Sequence, residues 1–479
     1  MNIEIIQQEV EKIQELDVKT VKKLFDRGDF SDITKKYSEE CTKIDCERFA
    51  HHLEEIDRSI RDTEERKSNY YVDGIVERTI TIPLGEVKFK RTRYVKKGSR
   101  EYVFLLDNYL GIDVNERMTD AVKARILKEA VDTTYLKGGE KAAYNTTVSK
   151  QTTKNIIDSL DEDLIKVEKS KDKRQIEYLY IDADEAHVKI QKNKDVKQVM
   201  CKEIYVYEGK ELEAPKSKRK RLVNKWTFSG VYEENGENIR FWNEVREYIK
   251  EHYEVTKIKK IFLNGDGGAW IKEGINIFPN VVFVFDKYHL MQYINEMTSH
   301  LKDSISEAKA ELYNALAHGE LDKLEICIGR IYNTTNDEKR LKVISRCETF
   351  LRNNMAAIKN RLNYNNEPIL GCSAEGHISH DLASRMTTIC RGWSISNANK
   401  MSKLRAFRNN NGDFYALIKA NHKWLRKERK NVIIIKPQKE TMKYISTKTK
   451  IATDIVSKYY NSMQATIDQE IRTKYNLNY

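Results

Sequence analysis

Two short stretches carry acids in settings where acids do chemistry: Tyr178-Leu179-Tyr180-Ile181-Asp182-Ala183-Asp184-Glu185-Ala186-His187-Val188 and Asn264-Gly265-Asp266-Gly267-Gly268-Ala269-Trp270. An Asp between glycines at the carboxyl end of a parallel strand sits where open α/β sheets hold their ligands, and the glycines let a phosphate or metal approach the backbone. Carboxylates on adjacent strand ends repel unless a divalent cation lies between them, and hard oxygen ligands suit Mg²⁺ or Mn²⁺. The chemistry such a pair supports is two-metal phosphodiester cleavage or transfer. One ion lowers the pKa of a water or 3′-hydroxyl nucleophile, and the other stabilises the leaving oxygen. The same residues also allow a plainer reading, with Asp182 and Asp184 as turn or surface acids and Asp266 as a helix N-cap. Residues two apart on a strand face one side, so Asp182 and Asp184 compete for the first metal position. The Gly-Asp-Gly-Gly run is not a nucleotide motif: Trp270 stands where Gly-x-Gly-x-x-Gly needs its last glycine, and no Gly-x-x-x-x-Gly-Lys-Ser/Thr occurs.

The elements that must position these acids read as strands at Glu177–Gln191, Val199–Tyr207 and Arg221–Ser229, then a helix Glu237–Glu251. A strand Ile258–Leu263, a helix after Gly268 and a strand Val281–Phe285 follow. The order β-β-β-α-β-α-β is that of the ribonuclease H-like fold, an α/β class in which acids on the first strand and just past the fourth approach one another. Seven segments are expected: a helical N-terminal arm (1–68), a small antiparallel β-sheet (69–110), a helix-turn-helix-like DNA-binding region (111–165) and the first part of the core (174–299). An all-helical insertion (300–367), a completion of the core (368–420) and a basic C-terminal tail (421–479) finish the chain. In the small sheet the strands read Val76–Ile82, Glu86–Val95 and Tyr102–Leu106, with Arg91 and Arg93 on one side of the middle strand and Lys88 and Lys90 on the other.

The 479 residues, 33% charged and 40% hydrophobic with only 5 Pro, exclude collagen-like and wholly disordered classes and suffice for several domains. The longest apolar runs are of strand length, far below the roughly 20 residues of a membrane-spanning helix. The N-terminus lacks the basic and apolar regions of a signal peptide, so a cytoplasmic, nucleoid-associated protein with no membrane partner is expected. Seven scattered cysteines without Cys-x-x-Cys pairing argue against disulfides or a zinc ribbon. The nearest thing to a cluster, Cys41, Cys46, His51 and His52, lacks structural zinc spacing.

A net charge of +12 points to an anionic partner, and double-stranded DNA fits it. Lys141–Ile157 reads as a short helix, a turn and a second helix capped by Ser149, with Lys150, Gln151, Thr153 and Lys154 facing outward as in helices that enter a major groove. Lys216-Ser217-Lys218-Arg219-Lys220-Arg221 is a basic hairpin, of which Lys218, Arg219, Lys220 and Arg221 are the phosphate-binding candidates. Lys423, Arg426, Lys427, Arg429 and Lys430 around Trp424 offer a similar surface.

Taken together, Ala183-Asp184-Glu185-Ala186-His187-Val188, Gly265-Asp266-Gly267-Gly268-Ala269-Trp270-Ile271-Lys272, Asp286-Lys287-Tyr288-His289-Leu290 and Ser373-Ala374-Glu375-Gly376-His377-Ile378-Ser379-His380 resemble the ISLre2 transposases, also called the UPF0236 family. These are bacterial insertion-sequence proteins related to the IS256/Mutator DDE enzymes. The resemblance runs from Leu84-Gly85-Glu86-Val87 to Lys403-Leu404-Arg405-Ala406. It implies a catalytic, metal-holding triad of Asp184, Asp266 and Glu375, with the helical insertion lying before the final Glu. It favours Asp184 over Asp182 and leaves Asp182, Asp286, His289, His377 and Trp393 as supporting residues; Asp286 and His289 match the family's Cys/Asp-x-x-His signature. Ala186 departs from the pattern, being commonly an acid in relatives. The implied function is binding of element ends and divalent-metal-dependent cleavage and 3′-hydroxyl strand transfer by a homodimer or larger assembly. A catalytically silent DNA-binding derivative and a ribonuclease H-like nuclease are the alternatives. Tyrosine recombinases are excluded, because none of the ten histidines is followed by Arg in His-x-x-Arg spacing.

Overall fold

Asp29 starts the first long helix by accepting hydrogen bonds from the Ser31 and Asp32 amides, and the helix then runs from Phe30 to Arg61. Its buried Cys46, Ala50, Leu53 and Ile60 pack on a meander of β1 (Tyr70–Thr81), β2 (Glu86–Lys96) and β3 (Tyr102–Val103). The computed structural model describes residues 11–12, 15–20, 22–23, 29–165, 172–191, 196–233, 236–363, 368–389, 392–427 and 435–437. These described residues divide into two compact units, one drawn from within 1–130, 135–156 and 414–479, the other from within 131–134 and 157–413.

In the first unit the third strand is shorter than its composition suggests. Only Tyr102 and Val103 pair, and Leu105–Leu110 is a helix. Leu105, Leu106 and Asp107 are all buried, whereas a strand that packs on one face only would expose every second residue. The basic ribbon is also narrower than expected. Lys88 and Lys90 are exposed, but Arg91 is buried with its guanidinium 3.5 Å from the centre of the Phe104 ring. Arg91 and Arg78 share the Asp107 carboxylate, with Arg78 Nη1 at 2.6 Å, and Arg78 also donates to the Asp113 and Glu116 carbonyls. Burial pushes the Arg91 guanidinium down to about 10. Asp107→Ala leaves two buried cations without their shared anion, so we expect a loss of about 3–5 kcal/mol in denaturant unfolding of the first unit; an unchanged midpoint would refute the shared-anion role.

The helix-turn-helix-like region holds helices Asp120–Asp132, Tyr135–Glu140 and Lys150–Asp158. No helix forms over residues 141–149, so the first helix of the pair lies earlier than the sequence suggests. Ser149 caps the last helix through the Thr152 amide at 3.1 Å. Lys150 and Gln151 are exposed, whereas Thr153 is fully buried and cannot reach DNA. The reason is close packing: a Cβ on Gly139 would lie 2.2 Å from the Val148 carbonyl and 3.3 Å from Thr153 Oγ1.

The second unit is built on a five-stranded mixed sheet of β4 (Tyr178–Lys189), β5 (Gln198–Tyr207), β8 (Trp226–Val231), β9 (Lys260–Gly265) and β10 (Val281–Phe285), ordered β10-β9-β4-β5-β8. The first three strands are antiparallel, and β9 and β10 join parallel to β4 and to each other. Both faces are covered, which explains the uninterrupted apolar runs. Leu179, Ile181, Ala183, Ile204 and Leu263 pack with Phe241, Trp242 and Val245 of the helix Glu237–His252; Tyr180, Tyr205, Tyr207, Phe262 and Val284 form the opposite layer with Ile369. The expected third strand divides in two. Its basic start is β7 (Lys220–Val223), which pairs with β6 (Gly209–Leu212) as a separate ribbon, and only Trp226–Val231 enters the main sheet. Helices Ile305–His318, Leu321–Tyr332, Glu338–Asn353 and Met355–Leu362 follow and share one core with the sheet through Leu312, Ile328, Ile344, Leu351 and Ile358. After them come a short helix Ala374–Ile378, a π-helix Ser379–Ile389 and a helix Ile395–Asn409 that packs on β8. No helix among the described residues is long and apolar enough to cross a membrane.

Candidate functional site

Strand register brings the acids together. Asp182 lies opposite Asn264 in the parallel β4–β9 pair, so Asp184 and Asp266, each two residues further on, fall level just beyond it. Phe285 lies opposite Gly265 in the β9–β10 pair, and this puts Asp286 on the other flank of Asp266. Asp184 accepts the Glu185 amide at 2.8 Å, and Asp266 accepts the Gly268 amide at 2.9 Å as the turn after β9 begins. That turn needs its glycine: Gly267 has φ +90, and a Cβ there would meet Asn354 Oδ1 at 2.5 Å. Trp270 closes the turn onto the first strand by donating to Glu185 Oε2 at 2.6 Å, while its own carbonyl accepts Trp242 Nε1 at 2.7 Å.

Burial pushes the Asp184 carboxyl up to about 7, against the Glu185 amide that favours its ionised form, and the charge of Asp266 adds to the rise. His289 opposes this. Its Nδ1 lies 2.9 Å from Asp286 Oδ2, and that hydrogen bond, with the charges of Asp286, Asp266 and Asp184, raises the imidazole above its ordinary value. For Asp286, burial pushes upward but the His289 partnership outweighs it and holds the carboxyl low. The corner therefore holds a strained acid beside a second acid and a histidine biased toward its cation.

The Asp184 shift has a pH consequence. Its folded pKa of about 7 exceeds the unfolded 3.8, so the stability contributed by the protonated group is full below pH 3.8 and is lost as pH rises through about 7. Asp184→Asn removes that loss. In EDTA the variant should exceed the parent by roughly 4 kcal/mol at pH 8, with the difference vanishing near pH 4. Equal unfolding curves at pH 8 would show that Asp184 is not held in this desolvated state.

Asp182 behaves differently from Asp184. It is fully buried and accepts Tyr205 Oη at 2.8 Å, Tyr207 Oη at 3.1 Å, Asn264 Nδ2 at 2.6 Å, the Ser373 amide at 2.9 Å and Ser373 Oγ at 3.3 Å. Ser373 directly precedes the helix Ala374–Ile378, so Asp182 ties the backbone that carries Glu375 to the first strand. The side chain of Glu375 lies outside the described residues. His377 is turned toward Lys225, 2.8 Å from Nδ1, and burial followed by the lysine's charge presses it down to about 4. Trp393 is buried, donates to the Met386 carbonyl at 2.9 Å and lies under the Arg385 guanidinium, so it belongs to the core and presents no face to a base.

Lys218, Arg219, Lys220 and Arg221 are all exposed on the β6–β7 ribbon, with Arg221 Nε paired to Glu211 Oε1 at 2.7 Å. Lys150, Gln151 and Lys154 lie in the other unit, Lys154 half-buried. Lys423 is exposed; the side chains of Trp424, Arg426 and Lys427 and all of Arg429 and Lys430 lie outside the described residues. One contributor that sequence reasoning missed is Arg361, buried in the last insertion helix, which donates to the Phe285 carbonyl at 2.9 Å and to Asn264 Oδ1 at 3.0 Å. A single Arg within a charged helical stretch carries no signal of that role.

The family profile of UPF0236, an uncharacterised protein family, matches residues 26–423. A UPF0236 protein of Caldanaerobacter subterraneus subsp. tengcongensis, whose name joins eleven loci, is 31% identical over 401 residues, covering 83% of this chain and 81% of the relative. A second from that organism is 30% identical over 432 residues, covering 90% and 89%. A UPF0236 protein in the vanSb 3′ region of Streptococcus gallolyticus is 24% identical over 330 residues, covering 66% and 69%. With its profile matched along most of its length, the chain belongs to the UPF0236 family.

Proposed function

We propose that this chain is a DDE-type transposase that binds the ends of its own element, cleaves DNA there and joins the freed 3′-hydroxyls to target DNA. The observation that carries the reading is the Asp184–Asp266 corner: two level carboxylates at adjacent parallel strand ends, one of which burial pushes up to about 7. Such an arrangement is unfavourable in the bare protein and is relieved by a divalent cation, so the donor set suits Mg²⁺ or Mn²⁺. The sheet order, with three antiparallel strands and the fourth and fifth parallel beside the first, is that of ribonuclease H-like cores and supports the same reading. The relative whose name joins eleven loci adds support from outside the site, because copying of a gene within one genome is what transposition produces.

Asp184, Asp266 and, by the family resemblance, Glu375 would hold the ions. Bound there, the metal would activate a water or 3′-hydroxyl and stabilise the leaving oxygen. The chain's own residues do the rest. His289, bonded to Asp286 and raised above its ordinary value, is biased toward its cation beside both acids, which lessens their repulsion. Trp270 keeps the turn bearing Asp266 against the first strand. Lys216, Lys218, Arg219 and Lys220 at the exposed ribbon tip supply phosphate contacts, and Lys150 and Gln151 supply polar reach from the other unit. Two DNA ends call for two active sites, hence a homodimer or larger assembly. The test is strand transfer with purified protein, labelled DNA carrying the gene's flanking ends and a plasmid target, in Mg²⁺ or Mn²⁺ and in EDTA. Joined products that need metal support the proposal. Specific end binding with no cleavage or joining in either metal would overturn it in favour of a silent DNA-binding protein, and cleavage without joining would favour a nuclease.

A further inference from the structure

In the first unit, a turn and a returning helix converge on a second group of ligand-type side chains. The turn after the helix Leu105–Leu110 folds back on itself: the Glu116 amide donates to the Asp113 carbonyl at 3.1 Å, and the Asp113 amide donates to Glu116 Oε2 at 3.0 Å. Arg78, buried beneath, grips both of their carbonyls and makes the turn rigid. Above it lies His422 of the helix Phe414–Lys427. Its Nε2 is 3.2 Å from Asp113 Oδ2, and its Nδ1 is 2.9 Å from Asp120 Oδ2. Ligand atoms of Asp113, Glu116 and His422 all lie within 4.8 Å of one another, and among the described residues no other His, Cys, Asp or Glu group meets that condition.

We propose that Asp113, Glu116 and His422 form a structural zinc site that fastens the helix Phe414–Lys427 to the 113–120 turn, with Asp120 orienting the imidazole. Zinc bonds of about 2.0–2.1 Å in a tetrahedron set neighbouring ligands roughly 3.3 Å apart, close to the His422–Asp113 separation. Metal-bound histidines give their other ring N–H to a carboxylate, and Asp120 stands there, so the Nε2 lone pair faces Asp113 and Glu116. Asp113, Glu116, Asp120 and the nearby Asp107 bring four carboxylates against the cations of Lys123, Arg78 and Arg91, and the remaining negative surplus favours a cation at the turn. The imidazole selects Zn²⁺ over Mg²⁺. The opposing arrangement is a doubly protonated His422 bridging Asp113 and Asp120 with no ion, and it predicts no metal binding.

The site is independent of the Asp184–Asp266 corner, and the experiment keeps the two apart. The full-length Asp184→Asn/Asp266→Asn chain, stripped with chelator, is titrated with Zn²⁺ by calorimetry and with Co²⁺ by visible absorption. We expect one Zn²⁺ per chain, a tetrahedral Co²⁺ spectrum and no competition from Mg²⁺. His422→Gln should weaken binding on the order of 100-fold, and Asp120→Asn on the order of 10–100-fold with the stoichiometry kept. Should His422→Gln fail to fold, Glu116→Gln retains an oxygen for the Asp113 amide and removes the anionic ligand. No zinc uptake by the parent of this series, or equal uptake by the ligand variants, would overturn the proposal.

Discussion

Asp184→Ala and Asp266→Ala are each expected to abolish metal-dependent joining, by on the order of 10³-fold or more, while leaving specific binding to element ends within a few-fold of the parent. The size follows from what one carboxylate does in such a corner. Holding an ion that stabilises transition-state charge is worth several kcal/mol, and about 1.4 kcal/mol is a factor of ten in rate. Among the described residues the hydrogen bonds that Asp184 and Asp266 accept come from the local amides of Glu185 and Gly268, so neither acid ties one strand of the sheet to another. Their loss therefore touches chemistry before stability. For Asp184 the two effects take opposite signs, because removing a carboxyl that titrates near 7 should stabilise the metal-free chain above neutral pH. A variant more stable and inactive is a combination that a merely structural acid does not produce. Joining by either variant at more than a tenth of the parental rate would remove that residue from the proposed site.

How far the residues alone reached this corner depends on which physical signal each carries. The order of strands and helices from 178 to 285 was legible because buried strands and amphipathic helices differ in period, and Gly265-Asp266-Gly267 announces a tight turn. Where the reading slipped, tertiary packing had overridden local pattern. Leu105 and Leu106 extend an apolar run that suits a strand, yet both are drawn inward with Asp107 because two buried arginines require that carboxylate. Thr153 looks like any polar helix residue until Gly139 lets Val148 and the helix close over it. Arg221 joined to Trp226 reads as one strand, but Asn224 with φ +50 turns the chain between the basic ribbon and the sheet. Asp182 and Asp184 are equivalent by periodicity; the family resemblance favours Asp184, and the partners brought by distant segments give the two acids different surroundings.

That separation makes Asp182 the residue with the largest expected structural effect. Its carboxylate is fully buried and gathers donors from four residues in three segments: Tyr205 and Tyr207 on β5, Asn264 on β9 and Ser373 before the helix that carries Glu375. Asp182→Ala strands those donors in a site without water, each at about 1–3 kcal/mol, and leaves the Ser373 tether cut. Partial relaxation keeps the sum below simple addition, so we expect a loss of roughly 4–5 kcal/mol in denaturant unfolding of the second unit. The damage should be local as well as global. Amide exchange at residues 373–378 should accelerate under native conditions, and strand transfer should fall even where most of the chain stays folded, because Glu375 loses its fixed approach to β4. The competing assignment, Asp182 as the first metal ligand, makes the contrary forecast. A bare ligand carboxylate destabilises the metal-free fold, so its removal in EDTA would leave stability unchanged or raised and exchange at 373–378 unaltered. Unfolding and exchange of the one variant, both measured without metal, therefore separate an acid that holds the ion from an acid that holds the scaffold around it.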